Sequence, residues 1–252
     1  MIIKNPVYER EYRAGSRSVR FALLLLVFNF IIGALTLMEM NILVESAKSN
    51  SIINYASFLE IFKMVISLEL TMVILVSPAF VAGSISNERQ SGTLELLLTT
   101  KLSPLSIVMG KFFSNFFSIL LIMASSIPIL SLLFLYGGIR ASDILFLCLC
   151  MVTLAYWLVA IGIFVSSISK FSSIATALTY AIIIFSIFGT VILYYGGKNM
   201  YNTMGMVQES SPTALGWETV FLLFNPMLGF QVVLCGMSGQ WDMDFFMLNI
   251  SD

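Results

Sequence analysis

Between Asp143 and Lys170 the chain reads Ile144-Leu-Phe-Leu-Cys-Leu-Cys-Met-Val-Thr-Leu-Ala-Tyr-Trp-Leu-Val-Ala-Ile-Gly-Ile-Phe-Val-Ser-Ser-Ile-Ser169, without a single Asp, Glu, Lys or Arg. A helix rises 1.5 Å per residue, so about 20 apolar residues cross a hydrocarbon core roughly 30 Å thick. This stretch is long enough. Four more segments meet the same requirement: Phe21 to Val44, Phe58 to Gly83, Leu105 to Tyr136 and Ile174 to Tyr195. Lipid offers no water to satisfy backbone amides, so apolar runs of this length must pair their own N–H and C=O groups as helices. The sequence therefore predicts an all-α, polytopic transmembrane helical bundle with five spans.

The composition of the whole chain agrees. Of 252 residues, 58% are hydrophobic and 11% charged, and mean hydropathy is +0.95. A soluble domain carries about 25% charge, so this chain cannot cover a water-exposed shell with polar groups. A formal net charge of -1 gives no basic excess for nucleic acid. With no histidine, His-based zinc sites, Ser-His-Asp triads and His general bases are excluded. Cys148, Cys150 and Cys235 lack CxxC spacing and imply neither a disulfide framework nor a thiolate metal site. No cofactor is expected in this chain.

Orientation follows from the basic residues. Lys4, Arg10, Arg13, Arg17 and Arg20 precede the first span, Arg89, Lys101 and Lys111 surround the second-to-third connection, and Lys170 separates spans four and five. These fall on one side; Lys48, Arg140 and Lys198 fall on the other. The positive-inside rule then places the N-terminus and residues 84–104 in the cytoplasm. Residues 1–20 read as a cytoplasmic amphipathic helix: if Val7 to Arg20 is helical, Arg10, Arg13, Arg17 and Arg20 share one face and Tyr8, Tyr12, Gly15 and Val19 the other. Such a helix lies on an anionic membrane surface; the simpler alternative is that these arginines only retain the first span. Residues 21–195 form the transmembrane domain. Residues 196–252 read as an external or re-entrant C-terminal segment, in which Val220 to Val233, interrupted by Asn225-Pro226, is too short to span. That stretch is either re-entrant or a short buried helix in an external cap. The odd span count predicts an external C-terminus.

The connection between spans two and three is punctuated: Asn87-Glu88-Arg89-Gln90-Ser91-Gly92-Thr93-Leu94-Glu95-Leu96-Leu97-Leu98-Thr99-Thr100-Lys101-Leu102-Ser103-Pro104. Gly92 can end the helix leaving span two in the left-handed conformation. Thr93 can N-cap a short helix with Glu95 in its first turn, and Ser103-Pro104 restarts the chain as an N-cap and N1 proline. Leu94, Leu96, Leu97 and Leu98 are too apolar for a free loop and need either a membrane surface or a protein to cover them.

The motif Glu88-Arg89-x-x-Gly92-Thr93-Leu94-Glu95-Leu96-Leu97-Leu98-Thr99-Thr100, followed by Leu102-Ser103 and Ile107-Val-x-Gly110-Lys111, resembles the signature connection of the ABC type-2 transporter permeases. Asn5-Pro6-Val7-x-x-Arg10-Glu11 resembles that family's opening. Lys101 stands where the family usually has proline. The resemblance implies an exporter permease in the bacterial cytoplasmic membrane, paired with a second permease, homo- or heterodimeric, and with cytoplasmic ABC ATPase subunits. It also implies that the segment Thr93 to Thr100 is a coupling helix seated on the ATPase, with Glu88, Arg89, Gly92, Thr93, Leu94, Glu95, Leu96, Leu97 and Leu98 as the ATPase-coupling residues. The sequence holds no GxxxxGK[ST] phosphate loop, so nucleotide chemistry belongs to a partner and this chain is not itself an enzyme. Family members usually have six spans; here the sequence ends near where the sixth would begin, after Asp244-Phe245-Phe246-Met247, and a truncated permease is one expectation. The rival reading is a membrane anchor or assembly protein that docks cytoplasmic partners and transports nothing.

Inside the spans, Glu69 lies about 16 Å beyond Phe58, near mid-membrane, where an ionised carboxylate costs at least a few kcal/mol. It is expected to be protonated, paired or in a wet cavity, either on a translocation path or in a structural hydrogen bond. Glu60 and Lys63, near the external surface, can pair at i,i+3. Ser125, Ser126 and Pro128 interrupt span three, and Ser173, Ala177 and Ala181 form a small-residue ridge suited to close packing. Tyr156, Trp157, Tyr194 and Tyr195 line a pocket or belong to an aromatic interface belt.

Overall fold

The computed structural model describes residues 18–50, 55–98, 103–137 and 141–193, together with residues 196, 225, 227, 230, 233 and 234. The elements are α1 (Val19–Asn50), α2 (Tyr55–Val81), α3 (Gly83–Gln90), α4 (Thr93–Leu98), α5 (Pro104–Ala124), α6 (Ile127–Gly137), α7 (Ala141–Ile168) and α8 (Ser172–Ile184). A π-helical turn, Phe185–Gly189, follows α8. Among the described residues five helical stretches are long and apolar enough to cross a membrane: Phe21–Glu45, Phe58–Gln90, Pro104–Leu133, Ser142–Ile168 and Ser172–Leu193. The chain is an all-α polytopic bundle, as its apolar runs require. The helix expected over Val7 to Arg20 lies, except for its last residues, outside the described residues.

Two compact units, Met1–Thr179 and Tyr180–Asp252, divide within α8. In the first, α2 packs against α1, α5, α6 and α7. Half of its most apolar stretch is buried, against 28% or less in the three other spans of the unit, so α2 is the central helix. Leu70 and Val73 of α2 are buried, as are Ile32 of α1, Ile119 of α5, Leu133 of α6 and Leu158 of α7. The opposite faces stay apolar: Leu23, Leu26 and Phe30 on α1 and Leu145, Phe146 and Leu149 on α7 are exposed. In water so much apolar surface would drive aggregation; against acyl chains it is at no disadvantage.

Two interruptions shape the unit. Pro78 sits inside α2 and removes one amide from its ladder, and the regular helix is interrupted at Ala82, where it passes into α3. Span two thus runs on to Gln90 instead of stopping at Gly83. This junction touches α7 at Gly162, where a β-carbon would fall 2.6 Å from Val81 Cγ1; glycine there lets the two helices close. The second interruption separates α5 from α6. Ser125 and Ser126 turn the chain, and Pro128, near the start of α6, needs no amide partner. The Ser125 hydroxyl donates to the Ile122 carbonyl (2.6 Å) and accepts from Asn29 Nδ2 (2.8 Å), fastening the turn to α1.

In the second unit the π-turn frees carbonyls that a regular helix would occupy. Asn225, 3% exposed, donates through Nδ2 to the Ile187 carbonyl (3.1 Å) and to Thr190 Oγ1 (3.0 Å). Its Oδ1 accepts from the Met227 amide at 3.0 Å. Most of Val220 to Val233 lies outside the described residues.

Candidate functional site

The connection between α2 and α5 begins with α3, which is tied by polar groups to three other helices. The interruption at Ala82 leaves first-turn amides of α3 needing acceptors. Ser166 of α7 supplies one: its buried hydroxyl oxygen accepts from the Ile85 and Ser86 amides, both at 3.0 Å. Farther along α3, Arg89 reaches the end of α7, donating to the carbonyls of Ser167 (2.8 Å), Ser169 (3.1 Å) and Ile168 (3.4 Å). A guanidinium there satisfies orphan carbonyls and complements the negative end of the helix dipole. Gln90 Oε1 accepts from the Ser172 amide in the first turn of α8 (3.3 Å).

Toward α5 the fastening is ionic. Lys111 Nζ lies 2.8 Å from Glu88 Oε1 and donates to the Ser84 carbonyl at 2.8 Å. Lys111 is 3% exposed and Glu88 23%, so the pair is largely withdrawn from solvent. Asn115, one turn on, donates to Ser84 Oγ (2.7 Å). Lys111, counted above as a cytoplasmic charge and as the end of the Gly110-Lys111 motif, is an internal partner of Glu88.

Gly92 has φ +72°, the left-handed conformation expected of it. Its amide donates to the Arg89 carbonyl (3.2 Å), and the Thr93 hydroxyl donates to the Glu88 carbonyl (3.2 Å), which the next amide takes in a Schellman turn. Thr93 begins α4 rather than capping it, because Gly92 already occupies the cap and the threonine hydroxyl is spent backward on α3. Leu94 is half-buried and Glu95 exposed. Leu96, Leu97 and Leu98 complete α4, but the docking surface expected of them lies outside the described side chains. Ser103 caps α5 through the Ser106 amide (3.3 Å) with Pro104 at N1, as its sequence requires.

Glu69 lies apart from this cluster. It is 2% exposed, and the Ser126 hydroxyl at the α5–α6 turn donates to its Oε1 at 2.6 Å. The same hydroxyl lies 2.7 Å from the Met123 carbonyl, while Glu69 Oε2 is buried without a hydrogen-bond partner. Beside it is a cavity of about 380 Å³ walled by α2, the α5–α6 region and α7. Of the remaining sequence candidates, Glu60 is exposed and Lys63 half-buried on α2, and Ser173, Ala177 and Ala181 are all exposed on α8. Tyr156 packs edge-on against Phe112 (5.2 Å) and Phe116 (6.5 Å) of α5 while remaining exposed. Tyr194 and Tyr195 lie outside the described residues. Among the described residues no three His, Cys, Asp or Glu side chains converge as a metal site requires.

Five helices long and apolar enough to cross a membrane, α2 being central in the first unit, and a short helical connection pinned at its base make up a multi-pass membrane protein. Residues 6–240 match the family described as ABC-2 family transporter protein, and the chain belongs to that family. It is a permease component of an ABC transporter, a membrane subunit of a kind that associates with ABC ATPase subunits and is normally not catalytic. No match was found among curated proteins.

Proposed function

We propose that this permease exports substrate across a bacterial cytoplasmic membrane, with its N-terminus inside, as a pair with a second permease and powered by two ATPase subunits. In this reading α4 is the coupling helix, residues 1–20 are an interfacial helix on the lipid surface, and residues 196–252 face outward or re-enter. The supporting observation is the fastening of α3 to α5 through Lys111 and to α7 through Ser166 and Arg89. A movement of the ATPase reaches the spans only through an element that is short, helical and bonded to both sides; a slack loop absorbs it. Glu88 and Arg89 secure the base of α4, Gly92 and Thr93 set its angle, and Leu94 to Leu98 with Glu95 form the docking face.

Replacing Leu97 by Asp places a carboxylate in that contact. If the site is dry, ATPase docking weakens by roughly 2 to 5 kcal/mol. Because no span is touched, the variant is expected to insert normally yet lose ATPase co-purification and transport-coupled phosphate release. Full binding and full coupled turnover in Leu97→Asp would remove α4 from the coupling role and favour a non-transporting anchor.

A further inference from the structure

The cavity beside Glu69 has an unusual lining. Phe62 and Ile66 of α2, Met123 and Ile127 at the α5–α6 turn, and Leu147 and Met151 of α7 leave it apolar almost throughout. Among the described residues that line it there is no Lys or Arg. Its polar atoms are mostly committed: the Ser131 hydroxyl donates to the Pro128 carbonyl at 2.8 Å, and Glu69 Oε1 holds the Ser126 hydroxyl. Glu69 Oε2 is the exception, buried and without a donor. The volume, about 380 Å³, falls in the range of small-molecule sites.

We propose that this cavity binds an amphiphile with one ammonium group on an apolar body, Glu69 being its counter-ion. The proposal rests on the permease reading above and assigns its substrate class. An apolar body fills the space between α2, α6 and α7, and the ammonium supplies the donor that Oε2 lacks. Rotation about the terminal carboxyl bond, which is soft, turns Oε2 toward the cavity and draws Oε1 away from Ser126, whose hydroxyl keeps the Met123 carbonyl as acceptor at 2.7 Å. Such a pair removes two costs together, since neither charge is left alone in a low-dielectric site. A purely apolar ligand leaves Oε2 unsatisfied, and an anionic one sets two carboxylates against each other. Lys63 is six residues away along α2, and among the described residues no cation lines the cavity to compete for the carboxylate.

The test uses the full chain in nanodiscs with Cys150 and Cys235 replaced by Ser, leaving Cys148, which is exposed and lines the cavity, as reporter. Alkylation of Cys148 by N-ethylmaleimide is timed with 4-phenylbutylamine, 4-phenylbutanol or 4-phenylbutyrate, three probes of one shape and different charge. The amine is expected to protect Cys148 at a concentration at least tenfold below the alcohol, and the carboxylate least. In Glu69→Gln the amine's advantage is expected to vanish while protection by the alcohol is unchanged. Protection without added amine in phosphatidylethanolamine nanodiscs, and not in phosphatidylcholine ones, supports the same site with a lipid as the source of the ammonium. Equal protection by the three probes in the unaltered Glu69 chain, or an amine preference that survives Glu69→Gln, overturns the proposal. Neither ATPase nor transport enters the measurement, so its failure leaves the permease reading standing.

Discussion

At the scale of single residues, the Glu88–Lys111 pair is the most exposed to disruption by substitution. Lys111 is nearly inaccessible and Glu88 Oε2 is buried without a hydrogen-bond partner, so among the described residues this carboxylate has one cation, Lys111, paired with it. Lys111→Met should leave it uncompensated and destabilise the contact of α3 with α5 by about 3 kcal/mol. Adding Glu88→Gln to that variant should recover most of the loss, because two neutral side chains no longer bury a lone charge. Thermal unfolding of the purified chain in detergent reads both; if the double variant melts as low as Lys111→Met, the pair is not what holds the contact. Glu88, Arg89 and Lys111 stand out in the sequence because they sit in a readable motif, although that motif does not say that Lys111 pairs with Glu88. Asn115 and Ser166, which hold Ser84 and the Ile85 and Ser86 amides, do not stand out, since nothing local in the chain records contacts that span 31 to 81 residues.

At the scale of elements, the turn from α3 to α4 separates backbone strain from crowding. A β-carbon built on Gly92 meets nothing within 4 Å, so any penalty there comes from φ +72° alone. An L-residue in that conformation costs roughly 1–2 kcal/mol, and asparagine tolerates it better than others. Gly92→Val is therefore expected to tilt or fray α4 and reduce coupled phosphate release, whereas Gly92→Asn should keep most of it. Equal activity in the two variants would mean that the angle of α4 does not matter. Gly92 and Ser103-Pro104 were legible in the sequence, since they do what their local chemistry dictates. The interruption at Ala82 was not, because Pro78 sits a turn before it and a proline alone leaves open whether a helix continues or stops. Thr93 also eluded a purely local reading, since its hydroxyl serves the preceding helix.

At the scale of the whole molecule, length and hydropathy were enough to place five spans, because each is set by the thickness of the bilayer rather than by its neighbours. Which span is central was not readable, as all five are similarly apolar and only packing singles out α2. Orientation rests on the nine-to-three basic asymmetry. It predicts that a cysteine introduced at Ser210 reacts with an impermeant maleimide added outside intact cells, while one at Ser91 does not. The reverse labelling would invert the topology and strip the proposed coupling face of access to a cytoplasmic ATPase. The clamp at Ala82 has a further, mechanical consequence. Ser166 holds the Ile85 and Ser86 amides and Gly162 leaves no gap beside Val81, so the junction of α2 and α3 is an elbow fixed to α7, about which α2 forms one arm and α3 the other. Glu69 lies thirteen residues from that elbow, about 20 Å along the arm. Were α2 to tilt there with the α5–α6 turn held still, each 3° would move the Glu69 carboxyl by about 1 Å, and two such increments along the bond would take the 2.6 Å contact with Ser126 past hydrogen-bonding distance.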